Sequence, residues 1–224
     1  MSHTVSHAPY YPPPPTALDI VYLDHALLVV NKPSGLLSVP GRGDSKQDCL
    51  ALRVQQEFPD ALIVHRLDME TSGLMLLARS QDMQRDLSRA FARREVEKRY
   101  LAEVTGSLEA GTGSIDLPLI CDWPNRPRQI VDHGRGKPSL THYRVIGYDP
   151  HRDTCRVELI PATGRTHQLR VHLQSLGHPI LGDALYADET TRGMADRLFL
   201  HATRLAFSHP LTGEQLDLES KPAF

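Results

Sequence analysis

The nine residues His65-Arg66-Leu67-Asp68-Met69-Glu70-Thr71-Ser72-Gly73 constrain this chain most, because they set a knot of charge and hydroxyls between two apolar runs, Ala61 to Val64 and Leu74 to Ala78. The runs read as two short buried strands, so the residues between them sit where the chain leaves a core. Asp68, Thr71 and Ser72 are residue types that commonly hydrogen-bond the backbone of a turn. A carboxylate held at such a point also stands at the rim of a cleft, where it can serve as a reagent.

Ile20 to Val30 forms an apolar extended segment that breaks at Asn31-Lys32-Pro33-Ser34-Gly35, and Leu36 to Val39 is a second extended piece. Ser45 to Phe58 has helical character and stops before Pro59. From Gln81 to Lys98, Met83, Leu87 and Phe91 recur every fourth residue, while Arg85, Arg89 and Arg93 repeat about 200° around the axis. That spacing predicts a helix with one packing face and one guanidinium face. Strand patterns follow at Tyr100 to Thr105, Ser114 to Leu119, Gln129 to Asp132, Leu140 to Tyr148 and Thr154 to Ile160. Thr166 to Leu176 reads as a helix, with Thr163 as its cap and Gly177 as its stop; Leu198 to Phe207 and Gln215 to Leu218 supply the last strands. The sum is an α+β domain on a mixed, largely antiparallel sheet.

With 224 residues and 40% hydrophobic content, the chain can bury one substantial core. One catalytic domain, 17–224, is expected behind a flexible Pro-rich N-terminal tail, 1–16, whose run Pro12 to Pro15 acts as a spacer. No basic start precedes an apolar stretch, and nowhere do eighteen apolar residues follow one another, so secretion and membrane spanning are unsupported and a cytoplasmic location is expected. Cys49, Cys121 and Cys155 form no C-x-x-C pair and read as reduced thiols.

The string His65-Arg66-Leu67-Asp68, followed after two residues by Thr71-Ser72-Gly73-Leu74, resembles the active-site motif of the RluA-type pseudouridine synthases, and the likeness extends from about Leu18 to Phe224. It implies the pseudouridine synthase fold: a long bent mixed sheet with flanking helices around a central catalytic cleft, here with no room for the S4 domain that many members carry. It also implies isomerisation of uridine to pseudouridine in structured RNA, with no cofactor. Leu117-Pro-Leu-Ile-Cys-Asp-Trp-Pro-Asn-Arg126 resembles the mark of one subgroup, whose implied substrates are one uridine in 23S ribosomal RNA and one in the tRNA anticodon stem-loop. The enzyme is expected to work as a monomer. An RNA-binding or chaperone module on the same scaffold, without catalysis, is the alternative.

The reaction breaks the N1–C1′ bond, turns the freed base and rejoins it through C5. A carboxylate can promote this as a nucleophile toward base or sugar, or by removing a sugar proton. Each route needs an ionised carboxylate in a dry site, and burial alone neutralises one, so a fixed cation is required beside Asp68. By resemblance that cation is Arg165, in Gly164-Arg165-Thr166-His167-Gln168-Leu169-Arg170. Tyr100 matches the tyrosine that stacks on the target base, and Leu200 the aliphatic residue beneath it. Arg66 matches the arginine that fills the space left by the extruded nucleotide, and His65 is expected to assist nearby.

Net charge is about −2, from 25 basic and 27 acidic residues, so RNA binding requires clustered cations. Arg85, Arg89, Arg93, Arg94, Lys98 and Arg99 form one cluster, Arg126, Arg128, Arg135 and Lys137 a second, and Arg165 with Arg170 a third. No metal is expected, since His167 and His172 are five apart and lack a carboxylate partner pattern. A hydrolase triad of His65, Asp68 and Ser72 would lack a G-x-S-x-G elbow.

Overall fold

The computed structural model describes residues 10–108 and 111–224. The first half contains β1 (Ile20–Leu23), β2 (Leu27–Lys32), α1 (Leu50–Glu57), β3 (Leu62–Ile63), β4 (Ser72–Ala78), α2 (Gln81–Arg93) and β5 (Glu97–Thr105). The second contains β6 (Thr112–Asp116), β7 (Leu119–Cys121), β8 (Gln129–Val131), β9 (Leu140–Asp149), β10 (Thr154–Pro161), α3 (Gln168–Ser175), α4 (Glu189–Gly193), β11 (Leu200–Ser208) and β12 (Gln215–Glu219). Ten strands make one mixed sheet in the order β1-β2-β4-β11-β5-β10-β9-β6, with β3 added to β4 and β12 to β11; β7 and β8 form a separate ribbon.

The only parallel pairing among the described strands is β4 with β11, where Ser72 faces His201 and Gly73 faces Ala202. This seam joins the two halves of the sheet. Both strands begin at the same end of it, so the loop that leads into β4 and the start of β11 arrive side by side. Gly73 makes the approach possible: its φ is +110°, and a Cβ there would lie 2.3 Å from the Ala202 carbonyl oxygen.

β4 is buried along its whole length because both faces are covered. Leu74 and Leu76 pack with Met83 and Leu87 of α2, while Met75 and Leu77 pack with Leu50 and Val54 of α1. A further core lies under the second half, where Leu159 of β10 and Leu200 of β11 meet Leu169 and Leu173 of α3. α2 starts where Ser80 accepts the Met83 N–H, and it ends in a left-handed Arg94 at φ 63°.

Several local expectations are corrected. The segment Ile20 to Val30 is a hairpin of two strands, turned at Asp24, whose carboxylate accepts the N–H groups of Ala26 and Leu27. Leu36 to Val39 forms no strand, contributing a single bridge from Leu37 to Cys49. α3 begins at Gln168 behind a left-handed His167, and Thr163 does not cap it: the Thr163 hydroxyl accepts the Leu140 N–H and donates to the Gln168 side chain. The short α4 had no periodicity by which to be seen.

Of the Pro-rich tail, residues 1–9 lie outside the described residues, and the remainder is held against the domain. The Tyr10 hydroxyl donates to the Asp48 carbonyl and accepts the Leu37 N–H, and Arg53 donates to the Pro13 carbonyl at 2.6 Å. No helix among the described residues is long and apolar enough to cross a membrane.

Candidate active site

The loop Leu67–Thr71 is fixed from below by three side chains of the segment 32–38. Lys32, 1% exposed, donates to the carbonyls of Pro33, Leu36 and Met69 at 2.9, 2.6 and 2.8 Å. Ser34 donates to the Glu70 carbonyl, and Ser38 donates to the Leu67 carbonyl while accepting the Leu67 N–H. The turn itself is closed by the backbone, Thr71 N–H to Asp68 carbonyl at 3.2 Å. The Asp68 carboxylate is therefore left over: among the described residues it accepts no hydrogen bond, and its side chain is 22% exposed.

It opens into a cleft whose lining includes Arg66, Asp68, Tyr100, Arg165, His167, Arg170 and Leu200. Tyr100 comes from β5, opposite Ala202 on β11 and Leu159 on β10. Burial, and then the charge of Asp68, push the Tyr100 phenol above its ordinary range, so it offers a flat ring and an O–H rather than a phenolate. Leu200 is buried at the start of β11 and forms the apolar floor.

The counter-ion expected at Arg165 is Arg170. Arg165 is exposed at the rim, where its Nε donates to the Pro138 carbonyl at 3.3 Å. Arg170, 3% exposed, places Nη1 3.9 Å from Asp68 Oδ2 and His167 places Nε2 4.0 Å from Asp68 Oδ1. Arg170 is aimed by a second carboxylate: Asp183, fully buried, accepts its Nε and Nη2 at 2.7 Å each and also the N–H groups of Leu185 and Tyr186. Burial works against the Arg170 charge, but Asp183 and then Asp68 outweigh it and raise its pKa above the usual guanidinium value.

The sequence did hold a signal for Arg170. It lies inside a helix between Leu169 and Val171, where an arginine is buried and must find a carboxylate. Asp183 follows the apolar pair Ile180-Leu181 and belongs to the same logic.

His65 lines a basin beside this cleft rather than the cleft itself, and its ring also has a structural task. One edge of β4 is shared by β11 at Ser72–Gly73 and by β3 at Leu77 and Ala78. The Leu76 N–H between them is accepted by His65 Nε2 at 3.0 Å, and the ring stacks on Phe91 at 4.5 Å. Burial, and then Lys98, push the imidazole down to about 3, which keeps that nitrogen free to accept.

The basin beside the cleft is lined by Arg66, Arg94, Lys98 and Arg165 together with His65, Phe91 and Tyr100. Arg66 is exposed and makes no ion pair among the described residues. By contrast, the guanidinium face of α2 is internally neutralised: Arg85 pairs with Asp82 at 2.6 Å and Arg89 with Asp86 at 2.7 Å. The cations available to a polyanion lie around the cleft rather than along that helix.

The RNA pseudouridylate synthase family matches residues 26–175 of this chain. The Dual-specificity RNA pseudouridine synthase RluA of Escherichia coli (strain K12) is 49% identical over 215 residues, covering 96% of this chain and 98% of that protein. The protein of the same name in Pasteurella multocida (strain Pm70) is 51% identical over 215 residues, with the same shares covered. The solved structure of Human RNA Pseudouridylate Synthase Domain Containing 1 is similar with a TM-score of 0.79 and 31% identity, over 95% of this chain and 87% of that one. A matched span of this length and relatives this similar over nearly their whole length place the chain in the RNA pseudouridylate synthase family.

Proposed function

We propose that this chain isomerises uridine to pseudouridine in structured RNA, with Asp68 as the catalytic carboxylate. One observation carries the reading. A carboxylate that no turn hydrogen bond uses faces a cleft walled by a tyrosine ring and a leucine, with a buried, carboxylate-anchored guanidinium 3.9 Å away. Arg170 sets a positive charge beside the Asp68 carboxylate, Tyr100 and Leu200 hold the extruded base between an aromatic face and an apolar floor, and Arg66 occupies the gap left in the RNA. The N1–C1′ bond breaks, the C5–C1′ bond forms, C5 loses its proton and N1 gains one, so the reaction needs no other reagent.

The substrates in this reading are a uridine in 23S ribosomal RNA and a uridine in the tRNA anticodon stem-loop, bound by a monomer in the cytoplasm. One fold can serve both, because loops are read by shape and by splayed bases. The rim cations Arg66, Arg94, Lys98 and Arg165 supply phosphate contacts despite the net charge of −2. A binding module without chemistry would have no use for a free carboxylate beside a buried guanidinium.

The test is carbodiimide-dependent primer extension on ribosomal and anticodon stem-loop RNA after incubation with wild type or Asp68→Asn. Wild type should create a stop and the variant none. No stop on either RNA, or a fully active variant, overturns the reading.

A further inference from the structure

Tyr186 takes no part in the reaction described above, yet its hydroxyl is bonded to a residue that faces the reacting carboxylate. Its buried ring has two guanidinium groups near it, with Arg170 Cζ 5.1 Å and Arg128 Cζ 5.5 Å from the ring centre. The hydroxyl oxygen accepts the Gln129 backbone N–H at 2.8 Å, at the turn end of the β7–β8 ribbon, and lies 2.7 Å from His167 Nδ1.

A phenol has one hydrogen to give. The Gln129 N–H occupies an oxygen lone pair, so the hydroxyl hydrogen remains for His167 Nδ1. If Nδ1 donated instead, the oxygen would accept twice and its own buried hydrogen would be left without an acceptor among the described residues. Burial pushes the Tyr186 phenol up to about 12, so it retains that hydrogen near neutral pH. Burial also pushes the His167 imidazole below its ordinary value, which favours the neutral ring. A neutral imidazole that accepts at Nδ1 carries its hydrogen on Nε2. Nε2 is the atom 4.0 Å from Asp68 Oδ1.

The backbone supports the same arrangement. His167 adopts φ 53° and ψ 17°, a left-handed conformation uncommon for a residue with a side chain, immediately before α3. That turn directs the ring between Tyr186 and the cleft.

We propose that Tyr186 is a positioning residue: it fixes His167 in the Nε2–H tautomer, so that a neutral N–H donor faces Asp68, and it ties this geometry to the ribbon through the Gln129 N–H. The distance of 4.0 Å is beyond hydrogen-bond length in the free protein and closes when substrate is seated. The opposite tautomer would turn a lone pair toward the carboxylate. The proposal rests on Asp68 being the catalytic group.

The test labels histidine with ¹⁵N and records long-range ¹H–¹⁵N spectra of wild type and Tyr186→Phe near neutral pH, with His167→Gln to assign the signal. Turnover on anticodon stem-loop RNA is measured in parallel. Wild type should show Nε2 protonated and Nδ1 bare. Tyr186→Phe, which keeps the ring beside the two arginines, should show a mixed or reversed tautomer, with kcat lower by about tenfold and KM little changed. A wild-type His167 protonated on Nδ1, or on both nitrogens, overturns the proposal. So does a variant whose tautomer changes while kcat does not, or one that keeps both. The spectra read the tautomer whether or not Asp68 is catalytic, so loss of the Asp68 reading, seen as an active Asp68→Asn, is distinguishable from loss of this one.

Discussion

Arg170 presents Nη1 3.9 Å from Asp68 Oδ2 while its other nitrogens are bound to a second, fully buried carboxylate, Asp183. The inner pair fixes the guanidinium plane, and the outer edge of that plane meets the cleft. Charge is therefore delivered to Asp68 by a group that cannot swing away.

Removing the guanidinium should have two separable effects. Arg170→Met strands Asp183 as a buried unpaired charge and should cost about 3–5 kcal/mol in chemical denaturation. The double variant Arg170→Met, Asp183→Leu removes both charges and should regain most of that stability while remaining inactive. Recovery of turnover in the double variant would show that Asp68 needs no cation.

Arg66 should behave in the opposite way. It is exposed and unpaired among the described residues, so Arg66→Ala should change stability by less than about 0.5 kcal/mol. Turnover on stem-loop RNA should fall at least about tenfold, because the flipped-out state loses its wedge. Equal turnover at unchanged stability would remove Arg66 from the site.

Gly73 closes the motif for a steric reason. At φ +110°, a Cβ would lie 2.3, 2.6 and 2.9 Å from backbone atoms of Ala202, none of which can rotate aside. Gly73→Ala should push β4 from β11 and lower stability by several kcal/mol, visible as a large drop in Tm or as insoluble protein. A variant with native Tm would mean that the parallel seam is not this tight.

Most of the strands, the packing face of α2 and the turn that carries Asp68 were legible because each leaves a local period or a local break. What escaped was set by partners distant in the chain. Arg165 and Arg170 stand in the same short stretch, and choosing between them required Asp183, which no periodicity ties to either. His65 carries the motif's first position, yet its ring serves a gap between β3 and β11 on the edge of β4, which exists only once the sheet is assembled. The arginines of α2 formed a plausible cationic face until their neighbours Asp82 and Asp86 were seen to hold them. Lys32 stood in a recognised turn, but three carbonyls converging on one ammonium are a tertiary fact.

Two histidines make stability depend on acid in a predictable direction. His65 accepts the Leu76 N–H, and burial holds its pKa down to about 3. His201 sits in a chain in which Arg197 donates to the Ser72 hydroxyl, 2.8 Å from His201 Nδ1, while Nε2 lies 3.0 Å from the Ser220 hydroxyl. Burial, and then Arg197, hold His201 down to about 4. The ordinary histidine value is 6.5, so in both cases the unfolded chain takes up the proton first as pH falls. Their stabilising contribution is complete above 6.5 and drains away toward about 4 for His201 and about 3 for His65. Tm measured from pH 7.5 downward should therefore fall as pH drops below about 6.5, and His201→Gln, which cannot titrate, should lower the steepness of that fall. A variant whose Tm declines with the same slope as wild type would show that the Ser72–His201–Ser220 chain accepts a proton without breaking.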